Sequence, residues 1–547
     1  MGPSTAPTIG EYLIERFQKL GVGHVFGIPG DYVLTFFKMI EDSGMQLVGT
    51  TNELCAGYAA DAYARLEGLG VVCVTYGPGA LSMTNAAACA WAERSPLVIL
   101  SGAPGLREQK RHRLLHHTIG EPTTQAEVFA PLTVARCALD DPLTAFREID
   151  LALSACLRHK RPVYLELPRD RVRQAPLYPH IPLTDKPQSD PDELAEAVEE
   201  TAQMLANSRQ PVLIVGIDIH RYDLDGLVLS LAERCRLPLA ATLLSKSVIS
   251  EVHPLYVGVY QAAMGRSEVT QFVEDSDCVL MLGAPVTDMD FGMFTHHLDE
   301  SRLISATCER VQVRHHYYES ILLEDYLAAL CRAPLPTFHR SVPPWRQVFA
   351  QTWQPQADTP ITVARLFQKL DSILAASLVV VADPGDALFG AADLTVHRGA
   401  EFLGNAFYAS LGWAVPAAIG VQCADPQRRP IVLVGDGAFQ MTGTELGTTR
   451  RFGLDPIVIV LNNGGYLTER LLLEGKFNDI PNWEYHRLPE LLGAGQGFEV
   501  HTETELETAL QQALARRGSF SLLNVRLRSD DLSPSLQRLG ENLAKRV

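Results

Sequence analysis

The stretch Ile431-Val-Leu-Val-Gly435-Asp436-Gly437-Ala438 runs an apolar strand into a carboxylate flanked by glycines, and a second apolar run, Pro456–Leu461, ends on Asn462-Asn463. A helix-like segment lies between them. Two such strands joined by a helix read as a βα unit of a parallel sheet. Where the first strand stops, backbone N–H groups and the Asp436 carboxylate meet at one sheet edge, an arrangement suited to a metal-bound phosphate. Mg²⁺ takes hard oxygen ligands in an octahedron shared with phosphate, and Asp436, the Asn463 amide oxygen and a nearby carbonyl offer such a set. Alone, Gly-Asp-Gly is a turn and Asn-Asn a strand end. Their pairing, each half behind its own strand, carries the signal. A dinucleotide fold would need Gly-x-Gly-x-x-Gly opening a helix after a strand, and the chain has none.

Outward from this unit, short apolar runs alternate with amphipathic or alanine-rich stretches: His24–Ile28, Gly70–Thr75, Leu97–Ser101, Val163–Leu167, Val212–Val215 and Cys278–Leu282. The pattern predicts an α/β protein with mostly parallel sheets flanked by helices. Two proline-dense stretches interrupt it, one from Pro168 through Pro176, Pro179, Pro182 and Pro187 to Pro191, the other from Pro334 through Pro336, Pro343, Pro344 and Pro355 to Pro360. Neither can continue a helix or an inner strand, so both read as connectors. Three domains follow, at 1–180, 190–335 and 355–547. The first and third have similar lengths and similar strand–glycine–helix openings.

The 547 residues exceed one core at roughly 150 residues per domain, and 46% hydrophobic with 20% charged is ordinary globular composition. A net charge of -17 argues against a nucleic-acid partner, and the densest basic stretch, Arg107 to Arg113, is short and includes a histidine. The ten cysteines form no C-x-x-C pair and sit in apolar runs such as those at Cys73 and Cys278, as small core residues do in a reducing compartment. No apolar run approaches the roughly 18 residues of a membrane span. A cytoplasmic protein with no membrane partner is expected.

Four further stretches accompany the Gly-Asp-Gly/Asn-Asn pair: Gly27-Ile-Pro-Gly30-Asp31-Tyr32, Thr51-Asn-Glu53 through Arg65, Leu115-His116-His117-Thr118, and Asn462-Asn-Gly-Gly-Tyr-Leu-Thr-Glu469. Together they resemble the thiamine diphosphate-dependent 2-oxo acid decarboxylases of the pyruvate and indolepyruvate group, from Thr8 to nearly the end of the chain. The resemblance implies the thiamine diphosphate-binding fold, thiamine diphosphate and Mg²⁺ as cofactors, and release of CO₂ and an aldehyde from a small-molecule 2-oxo acid. It implies Asp436, Asn463 and the Gly465 carbonyl as metal ligands, with Gly437 and Ala438 beside the diphosphate. Glu53 would hold the pyrimidine N1′, Leu411 would prop the cofactor in its bent shape, and the Ala409 carbonyl would face its 4′-amino group. Asp31, His116, His117 and Glu469 would handle protons at the reacting carbon.

Each residue also has a plainer reading. Glu53 is an acid in a helix first turn, favoured by the macrodipole, and Ala56, Gly57, Ala60 and Ala64 suit that helix to close packing in either case. Asp31 after Pro-Gly is a helix cap, the histidine pair a solvated loop or metal ligands, Glu469 a surface acid, and Leu411 a core leucine.

Pyruvate-restricted relatives fill the substrate pocket with large side chains, whereas the matching positions here are Thr468, Leu388 and Met289, with Leu472 and Pro384 nearby. A roomier cavity is expected, favouring aromatic, branched or long-chain acids such as phenylpyruvate or indolepyruvate over pyruvate. The competing activity is a carboligase of the acetohydroxyacid synthase type, but those relatives lack the histidine pair and the acid after Asn-Asn. A non-catalytic homologue would have lost Glu53, Asp436 or Asn463, and all three are present. In the resembling enzymes the cofactor lies between the first domain of one subunit and the third of another, so a homodimer is the minimum and a homotetramer is implied.

Overall fold

The computed structural model describes residues 6–109, 114–176, 178, 180–182, 187–343, 353–397 and 399–544, with side chains to 541. Pro179, Pro344 and the 110–113 part of the basic stretch lie outside the described residues.

Three sheets follow one another along the chain. The first orders its strands as Gln46–Gly49, His24–Gly27, Gly70–Val74, Leu97–Ala103, Val163–Pro168 and Ala135–Ala138, all parallel. The third runs Glu401–Gly404, Leu378–Ala382, Arg429–Gly435, Ile457–Asn462, Ser521–Arg526 and Gln496–Val500, again all parallel. Numbered from each domain's own start, both have the order 2-1-3-4-6-5, so the likeness of the two openings extends to topology. The seven-stranded middle sheet is parallel from Tyr256–Val259 across to Leu303–Ala306 and then adds the antiparallel pair Val311–Val313 and His316–Tyr318. Central strands such as Gly70–Val74, Leu378–Ala382 and Ile457–Asn462 are buried at every position, which is why they read as unbroken apolar runs.

Two helices join the outer domains. Glu53–Glu67 starts on Asn52, whose side chain accepts from the Cys55 N–H at 2.9 Å, and stops at Gly68 with φ +86°. Its partner Ala414–Ala424 is apolar nearly all round and buried from Ala414 to Cys423, because the first-domain helix covers one side and the third sheet the other. Small residues bring the backbones together: a Cβ on Gly420 would lie 1.9 Å from the Ala59 carbonyl oxygen, and within the first domain one on Gly57 would lie 2.4 Å from the Ala86 Cβ. The ten cysteines are free thiols, seven of them buried. Among the described residues no helix is long and apolar enough to cross a membrane.

Because the Gly420 contact is with backbone, it cannot relax by a rotamer change. Gly420→Ala is expected to destabilise by about 1–3 kcal/mol and to lower the apparent midpoint of thermal unfolding. Gly226→Ala, at an exposed position in the first turn of Asp225–Cys235 with nothing within 4 Å of the added methyl, should leave the midpoint unchanged or raise it. Equal effects in calorimetry would contradict the packing argument.

Candidate active site

The strands Arg429–Gly435 and Ile457–Asn462 end beside each other, in register Gly435 with Leu461, and a cleft of about 760 Å³ opens there. Asp436 begins the helix Asp436–Thr442 and is almost fully buried. One carboxylate oxygen accepts from its neighbour's N–H, Gly437, at 2.8 Å, and the other accepts from Gly464 N–H at 2.7 Å. Burial pushes this acid up to about 6, against the pull of those N–H groups. Gly464 has φ +77°, and the turn it makes returns Gly465 to the cleft. Asp436, Asn463 and Gly465 all line the cavity, with Gly437 and Ala438 beside them. These residues offer carboxylate, amide and carbonyl oxygens, the kind of hard donors that Mg²⁺ takes around a diphosphate.

The opposite wall comes from the segment Asn405–Ala414, with Ala409 (φ +55°) and Leu411 on the cleft. Buried acids hold this segment. Asp383 accepts from Gly412 N–H at 2.9 Å and Ala414 N–H at 2.8 Å, and its burial raises it to about 7. Glu93 accepts from the N–H groups of Phe407 at 2.7 Å and Tyr408 at 2.8 Å. Asp61 accepts from the Trp413 indole at 2.7 Å and pairs with Arg65 at 2.8 Å. Tyr58 and Ser410 share a 2.5 Å hydroxyl bond.

A second constellation sits on the first domain. Asp31 follows the strand His24–Gly27, and the His116 Nε2 lies 3.0 Å from its Oδ2. The His116 and His117 rings are 4.7 Å apart, and His117 has φ +69°. Glu53, half-buried, lies near Gly79: a Cβ there would be 3.4 Å from its Oε1. None of these four residues lines the cleft, whose wall contains no residue before Met264.

The N-terminal TPP binding domain of thiamine pyrophosphate enzymes matches residues 7–127, the central domain 198–330 and the C-terminal TPP binding domain 383–525. An indole-3-pyruvate decarboxylase of Azospirillum brasilense is 37% identical, with 97% of each chain covered. Alpha-keto-acid decarboxylases of Mycobacterium bovis and Mycobacterium leprae are each 34% identical, over 98% and 97% of this chain and 97% and 94% of theirs. The chain belongs to the thiamine diphosphate-dependent 2-oxo acid decarboxylases.

In this decarboxylase-family chain, the other end of the cleft is apolar. Thr468, Pro384, Met289, Leu472 and Glu469 line the cavity. Leu388 does not: it is fully buried in the third-domain core, with its Cδ1 against Gly404. Every residue of the helix Asp386–Ala392 is buried, so nothing in its sequence says which side faces the cavity, and Phe389 occupies the wall instead. Met264 and Met293 from the middle domain, and Leu536, Leu539 and Gly540 from the helix Pro534–Ala544, complete that end. The spacing of Leu536 and Leu539 marks an apolar helix face, but no local signal says what it covers.

Asp383 is the positioning group that carries no motif. Asp383→Asn replaces one of the two accepting oxygens by an NH₂ donor that faces an N–H group, a loss of about 1–3 kcal/mol. The dissociation constant for thiamine diphosphate is therefore expected to rise about tenfold by isothermal titration, with the far-UV spectrum unchanged. An unaltered constant would mean that Glu93 and Asp61 hold the segment by themselves.

Proposed function

We propose that the protein catalyses non-oxidative decarboxylation of a bulky 2-oxo acid to an aldehyde and CO₂, using thiamine diphosphate and Mg²⁺, as a homodimer or a homotetramer of two dimers. The free thiols support a reducing, cytoplasmic setting, and we assign the domains as 1–180, 190–335 and 355–547. The observation that carries the reading is the cleft itself: oxygen donors at one end, an apolar wall of methionine, leucine and phenylalanine at the other, in about 760 Å³. Bound there, the cofactor would supply the nucleophilic carbon and the electron sink that makes loss of CO₂ feasible.

The protein's residues do the rest. Asp436, Asn463 and the Gly465 carbonyl would hold Mg²⁺, and Gly437 and Ala438 would lie beside the diphosphate. Leu411 and the Ala409 carbonyl would fix the cofactor's bend and its amino group. Glu53 would hold N1′ of the pyrimidine, Glu469 would sit by the departing carboxylate, and Asp31, His116 and His117 would move the proton that releases the aldehyde.

A second copy is needed to bring Glu53 to the cleft, because the wall within one chain lacks first-domain residues. Exposed apolar side chains on and next in sequence to the cleft lining support an interface there: Leu472 of the lining and its neighbour Leu473 are each 67% exposed, and Phe294, next to Met293 of the lining, is 56% exposed.

With metal-stripped protein reconstituted with Mg²⁺ and thiamine diphosphate, aldehyde release should appear only on reconstitution and rank indolepyruvate or phenylpyruvate above pyruvate in kcat/KM. A pyruvate preference would overturn the substrate reading, and CO₂ with ligated product in place of aldehyde would favour a carboligase. Thr468→Ile should lower the indolepyruvate-to-pyruvate ratio of kcat/KM by about tenfold. Glu53→Gln and Asp436→Ala should each be inactive alone. If sites are shared, unfolding and refolding them together in equal amounts should restore about a quarter of wild-type activity, one intact site in half of the dimers. No recovery would place both residues in one chain's site.

A further inference from the structure

Beside the acid and histidine of the first domain lies a cation that none of the motifs includes. Arg169 follows the strand Val163–Pro168, with its N–H bonded to the Ala103 carbonyl at 3.0 Å. Its Nε donates to the Glu108 Oε2 at 3.0 Å and its Nη2 pairs with the other oxygen. Nη1 is 3.5 Å from the Asp31 Oδ2, and the guanidinium carbon stands 5.0 Å from the Tyr32 ring centroid. Tyr32 in turn stacks on His116, with centroids 5.0 Å apart and planes at 16°, and its hydroxyl donates to the His116 carbonyl at 3.3 Å. His116 closes the ring on the same Asp31 oxygen at 3.0 Å.

Four side chains thus form a cycle, Arg169 to Asp31 to His116 to Tyr32 and back, with Glu108 anchoring the arginine from outside. The anchor is itself held, since Glu108 also accepts from Gly105 N–H at 2.8 Å, and Arg169 keeps it ionised below the usual carboxylate range. We propose that Arg169 is a positioning residue for the proton-handling pair Asp31–His116, fixing the carboxylate directly and the imidazole through Tyr32. This rests on the reading that Asp31 and His116 move protons during decarboxylation.

Two other roles fit the geometry less well. A guanidinium that binds the substrate carboxylate would need charge to spare, but this one already faces two carboxylates, Glu108 and Asp31. The donor atoms of Asp31, His116 and His117 lie within 4.8 Å of one another, as metal ligands can. The positive charge of Arg169 against Asp31 opposes a second cation there. A planar fork also explains arginine over lysine, because one ammonium cannot pair with Glu108 in bidentate fashion, reach Asp31 and stack on Tyr32 together.

The test uses the enzyme loaded with thiamine diphosphate and Mg²⁺, turning over phenylpyruvate, with variants Arg169→Ala, Arg169→Lys, Glu108→Gln and Asp31→Asn. Arg169→Ala is expected to lower kcat about ten- to a hundredfold, the penalty of a misplaced group, with KM within about twofold of wild type. Millimolar guanidinium should restore part of that kcat while leaving wild type unaffected, and Arg169→Lys should recover little. Glu108→Gln, which keeps the side-chain volume, should lower kcat in the same direction by less, so the prediction stands even if the alanine variant folds poorly. A raised KM with kcat retained would overturn the proposal in favour of carboxylate binding, and unchanged kcat in both Arg169→Ala and Glu108→Gln would remove any role. If Asp31→Asn keeps wild-type kcat, the proton-handling reading fails and this inference with it. If Asp31→Asn is crippled while the arginine and glutamate variants are not, only the inference fails.

Discussion

Three buried carboxylates, Glu93, Asp61 and Asp383, converge on the segment between Asn405 and Ala414. That segment is irregular backbone in a buried place, so its N–H groups need acceptors that no sheet ladder supplies. Glu93 and Asp383 each take two of them, and Asp61 takes the Trp413 indole. A carboxylate is strongly penalised by burial unless hydrogen bonds compensate it. Asp383 shows both sides of the balance, raised by desolvation and pulled down by the N–H groups of Ala414 and Gly412. Two of the three acids belong to the first domain and one to the third. The wall carrying Ala409 and Leu411 is therefore set by how the two domains meet, and the close helix contact at Gly420 fixes that meeting.

The arrangement of strands was legible because central parallel strands are buried on both faces and therefore read as apolar runs without alternation. The Gly-Asp-Gly turn was legible for the complementary reason: a short polar break after such a run has to lie at a sheet edge. What the sequence hid was direction and distance. Leu388 and Phe389 are adjacent in a helix buried all round, and which of them meets the cavity depends on the third-domain core around Leu388, not on either residue. Glu93 and Asp61 look like ordinary helix acids, and their partners lie 314 and 352 residues away. Arg169 had no motif to mark it, since its partners follow other strands of the first sheet, Asp31 after His24–Gly27 and Glu108 after Leu97–Ala103.

The first and third domains share one strand order and present their polar side chains at the same end of the sheet, where each strand hands over to a loop. The chemistry is divided between them. The third domain supplies the oxygen donors and the apolar wall of the cleft, whereas Asp31, the histidine pair and Glu53 lie on the first domain and do not line it. Within one chain the domains meet through the helices Glu53–Glu67 and Ala414–Ala424, a contact that buries small side chains and leaves the cleft mouth open.

A cleft left open in this way is a poor place for the proposed decarboxylation, because water at its mouth would compete as a proton source. The exposed leucines and phenylalanines around it would be an aggregation liability on an isolated chain. Both difficulties have one remedy. On the proposed dimeric reading, a second copy that places its first domain over the mouth would cover the apolar rim, exclude water and deliver Glu53 with the Asp31–His116 pair already oriented. Orientation must then be achieved before the copies meet. The cycle through Arg169 and Tyr32 lies wholly within the first domain, so its geometry does not depend on the surface it will cover.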